Sequence, residues 1–318
     1  MIPEIDELIT FDVPWVGAPG SAVAEESDPA LVFRMAGQLR NHQFDAAIIF
    51  TVQSQNPLPT AMLCYMAGIP RVLSYCRENP YRLISDWVPD PEVLVATRHE
   101  VVRQLDLVAT VGAHTADRHL SLSVPPESRE QARQALRTAC VDLLQPWIIL
   151  HPGVSEEKRR YPAEAFAEAV RPLIREQALQ VVLTGSSSER AYAESIRQQI
   201  ESGHAPKRVF NLAGAFDLPT FAGLIAEAPV LLANNTGPVH IAAAVGTPVV
   251  VLYAKTNPQH TPWQVPSRVL YFEVPTHLRS RNVLLQQFPE PVGSTASPEA
   301  IVRAVEELLL THPAHSVA

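Results

Sequence analysis

Five short, β-rich and largely apolar runs at 147–151, 180–184, 209–212, 230–234 and 249–253 are separated by helical patterns at 163–177, 188–202, 218–228 and 238–245. A strand that is apolar on both sides, such as Val249-Val250-Val251-Leu252, has to be covered on both faces. A parallel sheet between two helix layers does that. Strand–helix alternation at this pitch predicts βαβ units and a doubly wound, parallel-sheet α/β domain. The first half repeats the theme more loosely, with strands expected at 7–11, 46–51 and 71–75 and helices at 29–42, 57–67 and 99–111. A charged amphipathic helix at 127–139, followed by Gln145-Pro146, sets the expected boundary and gives domains 1–143 and 144–318. An irregular stretch at 275–295 precedes a last helix, opened by Ser297 as N-cap with Glu299 in its first turn.

Composition narrows the functional classes. With 318 residues and 47% hydrophobic side chains, the chain can bury two separate cores. A formal net charge of −8 argues against a nucleic-acid partner, which needs a basic surface. The three cysteines show no metal-ligand spacing. Cys64 and Cys140 are expected as buried thiols, a pattern that fits a reducing compartment. The opening MIPEIDELITF lacks a basic n-region and an apolar h-region, so no signal peptide is expected. The longest apolar run, 241–254, is broken by Gly246-Thr247-Pro248 and is too short to span a bilayer. The expectation is a cytoplasmic protein, with peripheral contact at the inner face of a membrane left open. No G-x-S-x-G elbow, zinc signature or Walker A loop is present.

The segment VLLANNTGPVHIAAA (230–244) carries the strongest chemical signal. A buried strand ends at Asn234-Asn235 and a helix begins within two residues, with Asn235 or Thr236 as N-cap. Ligands of open α/β sheets sit beyond the carboxyl ends of strands, where helix N-termini offer unpaired N–H groups to anions. Gly237 allows close approach of a ligand, and Pro238 is tolerated where first-turn N–H groups are orphans anyway. His240 lies one turn on, on the same helical face as Thr236. The bland alternative is an ordinary capped helix whose histidine packs on a neighbour. The combination Asn-Thr-Gly-Pro with a histidine one turn later favours an anion site.

The segment HPGVSEEKRRYP (151–162) also follows a buried strand. Gly153 makes a tight turn, Ser155 is a hydroxyl donor, and Lys158, Arg159 and Arg160 bring three cations to the same sheet edge. Such cations can hold a diphosphate and offset the charge it develops as a leaving group. For Arg159 and Arg160 a solvated basic cluster is an equally good reading; Lys158 is the favoured ligand. In LTGSSSERAYAE (183–194), Glu189 can meet a ribose, but Ser186-x-x-Glu189 reads equally as a capping box, and by pattern alone the cap is preferred. Phe216 can cover a base or belong to the core. His260 and Trp263 fall in a loop at the ligand edge.

Taken in order, HPG…KRRYPAEAFAEAV, VVLTGSSSE, NLAGAFDLPTFAGLIAEAPVLLANNTGPVHIAAAVGTPVVVLY and TNPQHTPW resemble glycosyltransferase family 9, the ADP-heptose:lipopolysaccharide heptosyltransferase group. The likeness is close over 147–263 and weaker through FDAAIIF, AGIPRVLSY and RHEVVRQLDLVATVG. It implies a GT-B architecture of two Rossmann-like domains facing across a cleft, the first for the acceptor and the second for a nucleotide-sugar donor. It further implies inverting transfer without a metal ion or other cofactor, from a donor such as ADP-heptose to a lipopolysaccharide or other envelope glycan. By position, Gly153, Ser155 and Lys158 would line the donor phosphates, Glu189 would meet the ribose and Phe216 the base. Asn235, Thr236, Gly237, Pro238 and His240 would form the diphosphate seat, with Lys158 and His240 stabilising the leaving group.

Two departures stand out. Asn235 occupies a position that is usually acidic in the family. The family's opening strand-loop-helix, whose loop carries the general base, has no counterpart here, so the first domain is expected to be incomplete. Glu78, Asp86, His99 and Glu100 are the acid–base candidates of the first half. The alternatives to an active transferase are a nucleotide-sugar binder without the base and a GT-B nucleotide-sugar epimerase.

Overall fold

The computed structural model describes residues 1–15, 28–52, 55–90, 98–202, 208–254, 258–273 and 294–312, without the side chains of Lys158, Pro258 and Ser294. The irregular stretch expected at 275–295 lies almost wholly outside them. The chain forms two compact units, Ile5–Ala116 and Met1–Glu4 with Asp117–Ala318.

In the smaller unit α1 (Pro29–His42), β1 (Ala47–Ile49), α2 (Leu58–Ala67), β2 (Val72–Cys76), β3 (Asp86–Pro89) and α3 (Glu100–Ala109) build a three-stranded parallel sheet in the order β1-β2-β3. Asp28 caps α1 by accepting from the Ala30 N–H at 2.8 Å, with Pro29 at the first helical position. Helix α2 ends at Gly68, whose φ of 77° a side chain would strain. One sheet face packs Ile49, Val72 and Cys76 against Ala61 and Cys64, while Leu73 and Tyr75 on the other meet Leu107 of α3. The strand expected at 7–11 does not form. Ile9 and Phe11 bury against Met35 and Leu63, so the apolar pattern is satisfied by packing, without a ladder partner. β3 was not anticipated, because its Asp-Trp-Val-Pro sequence is short and half exposed.

The larger unit contains α4 (Pro126–Thr138), β4 (Trp147–His151), α5 (Ala163–Gln177), β5 (Gln180–Leu183), α6 (Arg190–Glu201), β6 (Val209–Asn211) and α7 (Leu218–Glu227). It continues with β7 (Leu231–Asn234), α8 (Gly237–Val245), β8 (Val249–Ala254), β9 (Ser267–Phe272), β10 (Ser294–Thr295) and α9 (Pro298–Thr311). The seven strands are parallel in the order β10-β9-β8-β7-β4-β5-β6. Strand order therefore reverses between β4 and β7, the doubly wound design expected from the sequence.

Alternate residues of each strand feed opposite cores. Ile148, Leu150, Leu232, Val250 and Leu252 pack under α5, α6 and α9 through Phe166, Ile196 and Val305. Ile149, Leu231, Val249 and Val251 pack under α4, α7 and α8 through Leu136, Leu224 and Val239. Each such fully buried side chain contributes about 1.5–3 kcal/mol, so both helix layers are needed to hold the sheet. Asp217 caps α7 through the Thr220 N–H at 2.9 Å, and Ser297 caps α9 as expected. The helix expected at 188–202 starts later, at Arg190, after a 3-10 turn at Ser187–Glu189.

Two further expectations are corrected. Helix α4, placed before the boundary at 143/144, belongs to the larger unit, because Ala132 and Leu136 are buried in its second core and Arg129 and Arg133 both pair with Glu227 of α7. Cys140 is exposed and not buried. It sits just past the end of α4 at φ 63°, where the chain turns away. Helices α4 and α7 meet at Gly223, where a Cβ would lie 2.7 Å from the Ser128 carbonyl oxygen. Gly223→Ala is expected to cost about 1–3 kcal/mol by forcing these helices apart, read as a lower urea midpoint.

Candidate active site

The reversal of strand order puts the carboxyl ends of β4 and β7 side by side, with His151 registered against Ala233. Chains leave these two ends in opposite directions around the sheet, and the crevice between them is where open α/β sheets bind ligands. A cleft of about 510 Å³ lies at this point. The β4 loop contributes His151, Gly153, Val154, Ser155 and Arg160; the β5 loop contributes Ser186, Ser188 and Glu189; Thr236 stands at the start of α8.

Asn234 fixes the β4 loop against β7. Its fully buried amide donates to the Pro152 carbonyl at 2.8 Å and accepts from the Tyr161 N–H at 3.1 Å, so both ends of the 152–161 loop are tied to one side chain. Removing the amide would leave a buried donor and a buried acceptor unpaired, at a cost of about 1–3 kcal/mol each.

Helix α8 begins at Gly237 with Thr236 as N-cap in extended conformation. The Thr236 side chain makes no cap hydrogen bond; its hydroxyl donates to the Asn234 carbonyl at 3.3 Å. The first turn holds no acidic residue, and a Cβ added at Gly237 would meet nothing within 4 Å. The helix N-terminus is thus open to an anion. Asn235 is buried, and its N–H donates to the Leu252 carbonyl at 3.2 Å. Pro238 is in the first turn. The His240 ring lies 6.4 Å from that of His260.

Glu189 makes the capping box and also borders the cleft. The capping box with Ser186 is present: Glu189 Oε2 accepts from the Ser186 N–H at 2.7 Å and from its hydroxyl at 2.9 Å. Oε1 accepts from the Val154 N–H at 3.1 Å, joining the β5 loop to the β4 loop, while the carboxylate also borders the cleft. Burial raises its pKa, but the Ser186 donors, the nearby His151 and the Val154 N–H outweigh burial and bring the net value below normal. A Cβ at Gly153 would lie 2.7 Å from Glu189 Cδ and 2.8 Å from Oε2. Only glycine lets this carboxylate approach the turn. Gly153→Ala is expected to displace the carboxylate, cost about 1–3 kcal/mol and distort the cleft; a Gly153→Ala/Glu189→Ala pair should recover part of the lost thermal stability.

His151 escaped the sequence reading, although a polar residue closing an apolar strand at the ligand edge was a usable signal. Its Nδ1 is 3.0 Å from the Thr184 hydroxyl, and its ring lies 5.6 Å from that of Phe221. Burial depresses its pKa from 6.5 to about 4, only partly opposed by Glu189, so the imidazole is neutral at pH 7. An unfolded chain would take up this proton near pH 6.5 while the native one would not. Stability should therefore fall as pH drops from 6.5 to about 4. His151→Gln is expected to flatten that limb of a melting-temperature-versus-pH curve.

The other sequence candidates are distributed unevenly. Ser155 borders the cleft; the Lys158 backbone lies in a 3-10 turn at Glu157–Arg159, and its side chain is outside the described set. Arg159 pairs with Glu156 at 2.7 Å. Phe216 packs on the second core and stands 6.5 Å from Phe221. The Trp263 indole donates to the Arg118 carbonyl at 2.6 Å.

In the smaller unit a second cavity of about 320 Å³ opens at the carboxyl edge of β2, bordered by Asn56, Tyr75, Glu78, Asp90 and Arg103. Asn56 donates to Glu78 at 2.6 Å. Arg103, almost fully buried, pairs with Asp90 at 3.0 Å and lies 4.7 Å over the Tyr75 ring, with Glu100 also against it. Asp86 is held by Arg71 at 2.9 Å, which lowers its pKa, and His99 caps α3. Among the described residues no group of three or more His, Cys, Asp or Glu could hold a metal ion, and no helix is long and apolar enough to cross a membrane.

Fold and site define a parallel α/β protein that presents an anion-ready cleft at the switch point of its larger sheet. The same fold is found in a glycosyl transferase family 9 structure from Veillonella parvula, with TM-score 0.68 and 19% identity over 90% of this chain and 81% of that one. It is found again in the Escherichia coli ADP-heptose LPS heptosyltransferase II, with TM-score 0.64 and 24% identity over 89% and 82%. The family model "Glycosyltransferase family 9 (heptosyltransferase)" matches residues 32–284, and the chain belongs to that family. By family it is a glycosyltransferase enzyme with a GT-B-type fold. Among curated relatives, lipooligosaccharide heptosyltransferase 2 of Haemophilus ducreyi is 36% identical over 82% of this chain and 72% of its own. The Haemophilus influenzae protein of the same name is 27% identical over 72% of this chain and 66% of its own length.

Proposed function

We propose that this chain catalyses inverting, metal-independent transfer of a heptose from a nucleotide-diphosphate sugar to a lipopolysaccharide or related envelope glycan. The observation that carries this reading is the convergence of the β4 loop, the Ser186–Glu189 turn and the open N-terminus of α8 on one cleft, in a chain of this family. Nucleotide-sugar donors carry a diphosphate, and relatives named heptosyltransferases supply the sugar and the acceptor class.

In direct displacement the acceptor oxygen bonds to the anomeric carbon as the bond to the diphosphate breaks. The hydroxyl proton passes to a base on the acceptor side, and the bonding pair leaves with the diphosphate. The larger unit supplies what the leaving group needs. The α8 N–H groups meet the growing negative charge, joined by the Thr236 hydroxyl as it turns from its long 3.3 Å bond to the Asn234 carbonyl, and helped by Lys158 and His240. Gly153 and Ser155 admit and position the phosphates. Glu189 holds the two loops in register and presents its carboxylate edge to the ribose, Phe216 borders the base, and Asn235 and Pro238 hold the helix start. The smaller unit takes the acceptor.

Purified protein supplied with ADP-heptose and a heptose-accepting lipooligosaccharide should release ADP, add one heptose to the acceptor, and continue with a chelator present. Binding of ADP-heptose without any turnover would sink the catalytic reading, and isomerised donor formed without acceptor would mark an epimerase. Thr236→Val should weaken donor binding by roughly tenfold, the worth of one hydrogen bond to a charged group, with little change in melting temperature. A loss of stability alone would reassign Thr236 to the helix cap.

A further inference from the structure

Arg160 is placed by two independent constraints. The next residue, Tyr161, is tied through its N–H to Asn234 at the end of β7, two residues before Thr236. The Arg160 guanidinium itself lies 4.4 Å over the Tyr192 ring, which holds its plane without using its hydrogen bonds. So held, Arg160 borders the same cleft as Ser155 and Thr236. The ion partner it has is a weak one. Glu157 Oε2 sits 3.0 Å from Nη2 three residues back, and the Glu157 side chain is 70% exposed against 28% for Arg160. Exposed pairs at this spacing contribute little and are screened by salt. A phosphate offers the planar fork two acceptor oxygens and more charge than a single solvated carboxylate.

We infer that Arg160 is a diphosphate-binding residue of this cleft, and that the Glu157 carboxylate competes with the ligand's phosphate for its guanidinium. The inference rests on the donor-site reading above and goes beyond it. Donor affinity is set partly by an acidic residue of the same loop, which has to let go before the phosphate can take both arms of the fork. Glu157 then lowers resting affinity and hastens release of the nucleoside diphosphate after transfer, since the carboxylate recaptures the cation as the phosphate departs.

The test is equilibrium binding of ADP, inorganic pyrophosphate and adenosine to the full chain in chelator-containing buffer at low and high salt. Variants are Glu157→Gln, Arg160→Gln, Arg160→Lys and the Glu157→Gln/Arg160→Gln pair, each checked for an unchanged melt. Arg160→Gln should weaken ADP and pyrophosphate by about tenfold or more, as loss of charge-assisted bonds implies. Arg160→Lys should fall between it and the wild type. Glu157→Gln should tighten both ligands by roughly threefold at low salt, and less at high salt. That gain should vanish in the pair, and adenosine binding should not change in any variant. Wild-type affinity in Arg160→Gln, or a Glu157→Gln gain that persists undiminished without Arg160, would overturn this inference and leave the donor site standing. A wild-type chain that binds neither ADP nor pyrophosphate would remove the donor-site reading and this one with it.

Discussion

Asn234 exposes no surface, yet both ends of its amide are committed to one loop, donating to Pro152 and accepting from Tyr161. That pair of bonds crosses the place where the sheet reverses its strand order, between β4 and β7. It anchors both ends of the ten-residue excursion after β4 to β7, while the Glu189–Val154 bond joins its middle to the β5 loop. With it, Ser155 and Arg160 are delivered to the start of α8. A buried amide suits this task better than a charge would. It offers donor and acceptor atoms in one neutral side chain, and its burial costs less than that of a carboxylate once it is hydrogen-bonded.

The remaining architecture of the cleft follows from keeping one charge in place. Glu189 is partly buried but not isolated, because two Ser186 donors and the Val154 N–H share its load. Its approach is possible only because residue 153 has no Cβ. His151, buried beside it, stays neutral at pH 7 and so adds no positive charge to the cleft. The proposed donor site leaves attraction for the diphosphate to the N-terminus of α8 and to Arg160 on the cleft rim. The electrostatics are therefore directional, with the carboxylate on one rim and the helix N-terminus on another.

Much of this was legible in the sequence. Continuous apolar runs spaced by helical patterns gave the seven-stranded unit its strands β4 to β8, because a strand buried on both faces has few other ways to read. Asn-Thr-Gly-Pro after such a strand located the open helix start, and the capping box at Ser186 and Glu189 was explicit in its spacing. What failed were features that depend on a partner. Residues 7–11 have strand character but pair with no strand among the described residues, and Cys140 falls at a left-handed turn that leaves it exposed. β3 forms despite a poor pattern, since pairing with β2 supplies what propensity does not. Helix α4 joined the later unit because its apolar face fits α7 at Gly223.

The sequence by itself determined the fold class, the order of its βαβ units and the open N-terminus of α8, all of which rest on local periodicity and on the residues of a single turn. Only the tertiary structure decided that this helix start shares a cleft with Arg160 and His151, and that Asn234 ties both ends of the β4 loop. The reason is geometric. Residues 73 to 82 positions apart meet through the reversal of strand order, and nothing in the spacing of a linear chain records which strand ends become neighbours.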